Sequence, residues 1–402
     1  MRRKPTIAAA AVSALALMFP LVAHSQAPPP RSNPSLDSLI AKYMTDAAIM
    51  GVGAAILVNR QVVWMKGYGF ADVARTRPFT PSTIMNIGSI AKPFTGVAMM
   101  RAVQEGRLSL DADISSYLPF KVVNPHRPSA RITLRQLATH TSGITDRWDV
   151  YRDVYHFGGD APERLDRFLA DYFVPNGKHY SPENFLDAAP GTRREYSNIG
   201  AGLAGYIVER AYGEPLNLLT RRLIFTPLGM TSTGWFLSEV DLAKHSTLFV
   251  SQGGMSIPIP QYGLTTYPDG GVRTSVADLS TFFIALLNGG AYRNTRILDA
   301  RMAAEMVRFQ FTDANRPENF PAADGNSGLF WRTKLNGTRI GHGGSDPGLR
   351  TEMLADLSGN VGVVFFTNTS VAGTDQRSST AIFDALWAWA ESLRGASGDP
   401  AK

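Results

Sequence analysis

Apolar positions are unevenly spaced along the chain, and the spacing divides it into three regions. Ile7 to Val22 is an apolar run without a charge. Pro28-Pro29-Pro30 and then Arg31 to Pro34 form a flexible lead-in. Leu36 to Met44 has helical spacing. Val52 to Val58 and Val62 to Met65 are β-prone runs, joined by Asn59-Arg60-Gln61 as a hairpin. Ile90 to Leu108 predicts a long helix ending near Gly106.

From about Asp111 to Tyr267 the pattern changes to aromatics, prolines and helical segments. Leu134 to Leu137, Ala161 to Phe173, Ile199 to Tyr212 and Pro215 to Ile224 are the candidate helices. Long polar loops such as Asn176 to Ala188 separate them, and loops of that kind often carry binding groups. Val276 to Leu287 is again helical and closes at Asn288-Gly289-Gly290. Strand candidates follow at Leu329 to Lys334, Arg339 to His342, Arg350 to Ala355 and Val361 to Thr367. Asn336-Gly337 and Ser358-Gly359-Asn360 supply turns, and Ala381 to Leu393 is a last amphipathic helix.

β-Hairpin signals at both ends with a helical block between them imply one antiparallel sheet built from both chain ends. The expected class is α+β of three-layer α/β/α type, with helices flanking the sheet and a mostly helical domain inserted. The boundaries read as a signal segment 1–25, a discontinuous α/β domain 26–118 plus 266–396, and the helical insertion 119–265. A chain of 402 residues, 44% apolar, exceeds the usual size of one compact core, which agrees with two subdomains.

Arg2, Arg3 and Lys4 precede the first apolar run, and Ala23-His24-Ser25 or Ser25-Gln26-Ala27 offers small residues for cleavage. This is the pattern of a secretory signal peptide, so a periplasmic or secreted protein is expected. The alternative is an uncleaved anchor, against which stand Pro20 and the shortness of the run. Three of the six net positive charges lie in this segment, and the remaining charge is dispersed, which argues against nucleic acid. The chain has no cysteine, so disulfides and thiol nucleophiles are excluded. Its seven histidines form no ligand pair at helical spacing, and no metal or organic cofactor is implied.

Candidate chemistry rests on three stretches. Ser89 and Lys92 lie three residues apart in Gly88-Ser89-Ile90-Ala91-Lys92-Pro93, so a helix would put them on one face. Proline is tolerated only in a helix's first turn, so Pro93 puts Ser89 at the positive N-terminal end. Burial and that helix end would both push Lys92 toward its neutral form. The structural alternative is an N-capping serine with a solvated lysine. The second stretch is Glu195-Tyr196-Ser197-Asn198. A tyrosine is a feasible base where a neighbouring cation favours the phenolate, and Asn198 offers an amide to a lysine or a substrate carbonyl. The same spacing recurs at Tyr292-Arg293-Asn294, which reads as a surface turn. The third is Gly341-His342-Gly343-Gly344-Ser345-Asp346-Pro347-Gly348, between two strand signals. Glycines at a strand edge admit a substrate closely. The Ser345 and Ser89 N–H groups could form an oxyanion hole, with His342 beside it as a donor or partial positive charge. A bulged turn with a structural histidine is the alternative.

Together the three resemble the serine β-lactamase and penicillin-binding protein superfamily, whose motifs are S-x-x-K, Y-x-N and K-T-G or H-x-G. Leu137 to Ile144, Pro227 to Met230 and Gly270 to Leu279 are similar to the same group. The match is to its class C-like branch of β-lactamases, D-alanyl-D-alanine carboxypeptidases, D-aminopeptidases and esterases, and covers about Leu36 to Leu393. The resemblance implies the β-lactamase/transpeptidase-like fold, Ser89 as the acylated nucleophile and Lys92 with Tyr196 as the proton-handling pair. It implies substrate binding by Asn198, His342, Gly343, Gly344 and Ser345, and a structural role for His140 and Ser142. His342 stands where class C β-lactamases have lysine, which weakens the case for β-lactam hydrolysis. The expected function is an exported serine hydrolase forming an acyl-enzyme on a small ester or a D-amino-acid amide or peptide. A β-lactamase, or a penicillin-binding or sensory module that deacylates slowly, is the alternative.

Overall fold

Asn33 starts the first helix by accepting the Leu36 N–H (3.1 Å), with Pro34 in the first turn. The computed structural model describes residues 31–371 and 376–396. The expected signal segment therefore lies outside the described residues. Helix α1 (Pro34–Asp46) buries Leu36, Ile40 and Met44, one turn apart. Strands β1 (Gly51–Val58) and β2 (Gln61–Gly69) follow. Their two-residue turn has positive φ at Asn59 (51°) and Arg60 (61°), the geometry that matches the twist of a tight hairpin.

From the other end come β3 (Arg332–Lys334), β4 (Arg339–Asp346), β5 (Leu349–Asp356) and β6 (Val361–Thr367). The six form one antiparallel sheet in the order β3-β4-β5-β6-β1-β2. The first and last parts of the chain meet where Val52 to Val58 of β1 pair with Thr367 to Val361 of β6. Both faces are covered. Val52, Ala54 and Ile56 of β1 and Val363 and Phe365 of β6 join α1 and the C-terminal helix in one core. Ala55, Leu57, Val364 and Phe366 join the larger core on the opposite face. Period-2 alternation thus feeds two apolar layers, so these strands read as nearly unbroken hydrophobic runs.

The remaining long helices are α2 (Ala91–Gln104), α3 (Leu165–Phe173), α4 (Asn198–Tyr212), α5 (Val276–Leu287) and α6 (Gln376–Ala396). Helix α2 packs against α4 and the 3₁₀ turn Tyr267–Asp269 and is buried through most of its length. Among the described residues no helix is long and apolar enough to cross a membrane.

Several expected elements differ in extent. The helix expected to Leu108 stops at Gln104, and Gly106 (φ 71°) turns the chain. The helix expected over Pro215 to Ile224 is α-helical only at Leu216–Thr220 and passes into a π turn at Arg221–Phe225. Leu329, Phe330 and Trp331 are buried yet lie outside β3, because Phe330 adopts φ 49° and breaks the extended run. A hairpin at Leu248–Gln252 and Met255–Ile259, inside the block expected to be helical, pairs in parallel with Thr369–Ser370.

Candidate active site

Ser89 sits in a 3₁₀ turn, Gly88–Ile90, that runs directly into α2, with Pro93 third in the helix. Gly88 has φ 55°, and a Cβ there would stand 3.0 Å from the Asp346 carboxyl, so position 88 admits only glycine without strain. The turn lies on β4. A Cβ on Gly344 would come within 2.1 Å of the Ile87 carbonyl, which Thr351 also binds (2.8 Å). Glycine at these two positions thus brings the Ser89 turn against the strand carrying Gly343, Gly344 and Ser345.

Lys92, second in α2, is fully buried. Its Nζ donates to Ser89 Oγ (3.1 Å), Asn198 Oδ1 (2.7 Å) and the Asp269 carbonyl (2.9 Å), using all three donors. It also stands 4.9 Å from the centre of the Tyr196 ring. The lysine thereby joins two sequence stretches 106 residues apart.

The Tyr196–Asn198 stretch is fixed at the start of α4. Ser197 caps the helix by accepting the Gly200 N–H (2.8 Å) and donates to Asp146 (2.8 Å). The Asp146 carboxylate also accepts the N–H groups of Asn198 (2.7 Å) and Ile199 (3.0 Å), a favourable place for negative charge. His140, at φ 59°, accepts the Ser197 N–H at Nδ1 (3.2 Å), and its ring lies 4.2 Å from that of Tyr196. Its expected structural role is thus the support of the tyrosine. Ser142 is buried, and its Oγ accepts the Ile144 N–H (3.3 Å). Tyr292-Arg293-Asn294 forms the tip of a short surface hairpin.

The electrostatics correct the expectation for Lys92. Burial alone lowers it, but the Tyr196 hydroxyl and the Asp269 and Asp346 carboxyls outweigh that effect and the net direction is up. The resting lysine is an ammonium. His342 is 1% exposed, and its Nδ1 lies 2.8 Å from the Gly343 carbonyl. Burial, then Arg332 and Lys92, hold it well below the ordinary histidine value, so it is neutral and carries no net charge. His140 is held down in the same way, by burial first.

The sequence reading assigned no role to the two acids beside the lysine. Asp269 accepts from the Tyr151 hydroxyl (3.3 Å), and burial pushes it up to about 7. Asp346 accepts from the Tyr155 hydroxyl (2.9 Å), and burial pushes it up to about 6. An acid whose folded-state value is raised contributes most stability below its unfolded value and loses it as pH rises through the folded one. Asp346→Asn is therefore expected to be more stable than the parent by up to about 3 kcal/mol at pH 8, with the advantage shrinking at pH 5. Urea unfolding at the two pH values measures it, and an equal difference at both would contradict the raised acidity. The role of Asp146 is not legible locally, because it depends on contacts with residues some fifty positions away; the local signal is an aspartate just after the His140–Ile144 segment.

The chain is similar to known proteins. A Beta-lactamase family model matches residues 36–386. "Protein flp" of Staphylococcus aureus is 28% identical over 260 residues, which is 64% of this chain and 49% of that protein. "Esterase EstB" of Burkholderia gladioli is 28% identical over 209 residues, 51% of this chain and 52% of the relative. The chain spans about half the length of these curated relatives. The octameric penicillin-binding protein homologue from Pyrococcus abyssi superimposes with a TM-score of 0.68 at 25% identity, covering 88% of this chain and 77% of the other. The chain belongs to the beta-lactamase family, within the serine β-lactamase and penicillin-binding protein superfamily that its motifs resembled.

Proposed function

We propose that the protein is an exported serine hydrolase that forms an acyl-enzyme on Ser89 with an ester or D-amino-acid amide. The observation that carries the reading is the Lys92 ammonium bound at once to Ser89 Oγ and Asn198 Oδ1 while facing the Tyr196 ring. Held cationic, Lys92 favours negative charge on the Tyr196 oxygen, which takes the Ser89 proton. Ser89 Oγ then bonds to the substrate carbonyl carbon, and the oxyanion rests on the Ser89 and Ser345 N–H groups. The carbonyl re-forms as the bond to the leaving group breaks, and Tyr196 returns the proton to that group. Water attacks the ester on Ser89 by the same relay, releasing the acid. Asn198 orients the substrate. His342, neutral and buried, shapes the wall behind Gly343 and Gly344.

An ester is the first choice, supported by the similarity to the Burkholderia esterase. Export rests on the basic and apolar pattern of the first residues. A panel of p-nitrophenyl esters, D-alanyl p-nitroanilide and nitrocefin tests the assignment. Turnover is expected on the esters, weaker on the anilide and weakest on nitrocefin. Fast nitrocefin hydrolysis would favour the β-lactamase reading. A long-lived adduct without turnover would favour a binding or sensory module.

A further inference from the structure

We propose that Asp346 anchors an acyl-side subsite for an ammonium group, which rests on the serine-hydrolase reading above. Strand β4 runs past the site in a fixed order. His342 lies at the Tyr196 end, with the two ring centres 6.5 Å apart, Ser345 carries a proposed oxyanion N–H, and Asp346 follows. Tyr196 returns its proton to the leaving group, so that group lies toward His342 and the acyl chain lies toward Asp346. The favoured substrates are esters or amides whose acyl chain carries a positive charge.

The Asp346 carboxyl is held but not neutralised. Its Oδ1 accepts from the Tyr155 hydroxyl (2.9 Å), whereas Oδ2 has no hydrogen-bond donor among the described residues. Lys92 steadies it from a distance only, because the three lysine donors go to Ser89, Asn198 and the Asp269 carbonyl. The Asp269 carboxyl adds a second negative group behind it. Glycines keep the space before Oδ2 open. A Cβ on Gly88 would stand 3.0 Å from that oxygen, and one on Gly270 would stand 3.5 Å from it and 3.1 Å from the Leu264 side chain. Gly270 has φ −156°, which any residue adopts, so its missing side chain serves space rather than conformation. Asp346 is half-buried, so solvent still reaches it.

The surroundings of this carboxyl are aromatic. Tyr151 and Tyr155 stand edge to face with ring centres 5.9 Å apart, and Tyr262 packs on Tyr155 at 5.5 Å. Trp148, 69% exposed, and Phe157, 53% exposed, carry the aromatic surface outward from Tyr151 and Tyr262. Aromatic rings beside a carboxylate attract an ammonium through both the ring quadrupole and the charge. An ionised carboxyl in this place costs stability, and a bound ammonium offsets that cost. The titratable groups facing Asp346 are Lys92, Asp269, Tyr151, Tyr155 and Tyr262. Burial raises all three tyrosines and the lysine stays an ammonium, so between pH 5 and pH 8 the charge here changes through the two acids.

Phenyl 3-aminopropanoate and phenyl butanoate, equal in length and different in charge, test the subsite in the full chain. The ratio of kcat/KM, charged over neutral, is expected to fall about tenfold in Asp346→Asn, mainly through KM. In the parent that ratio should rise several-fold from pH 5 to pH 8, as the carboxyl ionises through about 6, and in the variant it should stay flat. The proton relay acts on both esters alike and cancels in the ratio. A ratio in Asp346→Asn within twofold of the parent, or a flat profile in the parent, would overturn the subsite. Failure of the hydrolase reading looks different: the parent would turn over neither ester. In that event calorimetric titration with benzylammonium against benzyl alcohol reads the preference without turnover. Equal affinity of the parent for both, or a benzylammonium affinity unchanged in Asp346→Asn, would overturn the proposal.

Discussion

Ser89→Ala is expected to lower kcat/KM on p-nitrophenyl esters by roughly 10⁴ to 10⁶-fold while the protein stays folded, because removing the atom that becomes acylated leaves only binding and oxyanion contacts. The fold should survive because the one hydrogen bond found for Ser89 Oγ is with Lys92, and Lys92 keeps its bonds to Asn198 and the Asp269 carbonyl. Alanine also suits a 3₁₀ turn leading into a helix. The melting temperature should therefore change little. Ser142 cannot substitute: it is buried, and its Oγ is engaged by the Ile144 N–H. Intact-mass spectrometry adds a second readout. A slowly hydrolysed ester or a fluorophosphonate should leave one adduct on the parent, mapping to the peptide containing Ser89, and none on the variant. Turnover within tenfold of the parent, or an adduct on another serine, would sink the assignment.

The site residues legible in the sequence are those that lie at short spacings from one another. Ser89 and Lys92 are one turn apart, Tyr196 and Asn198 two residues apart, and His342 to Ser345 are consecutive. Secondary structure alone brings the members of each set together, so they are readable locally. What joins the sets depends on tertiary packing. Asp269 reaches the lysine through its backbone carbonyl, a contact indifferent to side-chain identity. Asp146 caps α4 from a loop 51 residues upstream of Ser197. Asp346 was in view within the glycine-rich stretch, but its contacts with Gly88 and Tyr155 depend on how the turn lies on β4. The same holds for charge. The sequence implies a depressed lysine because burial is foreseeable, whereas Tyr196 and the Asp269 and Asp346 carboxyls that reverse the shift come from distant segments. In the fold, the strands buried on both faces were readable as apolar runs. The Leu248–Ile259 hairpin was not, because one of its strands, Met255–Ile259, is largely exposed and offers little apolar pattern.

Lys92→Met should separate catalysis from folding. Methionine has similar length and fits an apolar cavity, but it supplies neither charge nor donor. Proton handling by a positioned group contributes roughly 10²- to 10⁴-fold, and a fall in kcat of about 10³-fold is expected for ester hydrolysis. KM should change less, since the proposed oxyanion donors are backbone groups and the Gly343 and Gly344 wall is untouched. Stability should move by less than the activity suggests. The variant loses the donor to Asn198 Oδ1 and the Asp269 carbonyl, and each buried acceptor left unpaired costs about 1–3 kcal/mol. It is also relieved of a fully buried ammonium, whose desolvation costs several kcal/mol. The relief offsets part of the loss, and because the surrounding groups outweigh burial and keep the lysine raised, the unfolding free energy should fall by about 2 kcal/mol. Urea denaturation and steady-state kinetics on one preparation measure both. Full activity would show that Tyr196 does not need the Lys92 ammonium and would remove Lys92 from the proton relay. An unfolded variant would assign the ammonium a structural role, tying the Ser89 turn to Asn198 and Asp269. Loss of turnover in a folded protein is the outcome the geometry requires, because Lys92 is the cation that contacts the Ser89 oxygen and faces Tyr196 at once.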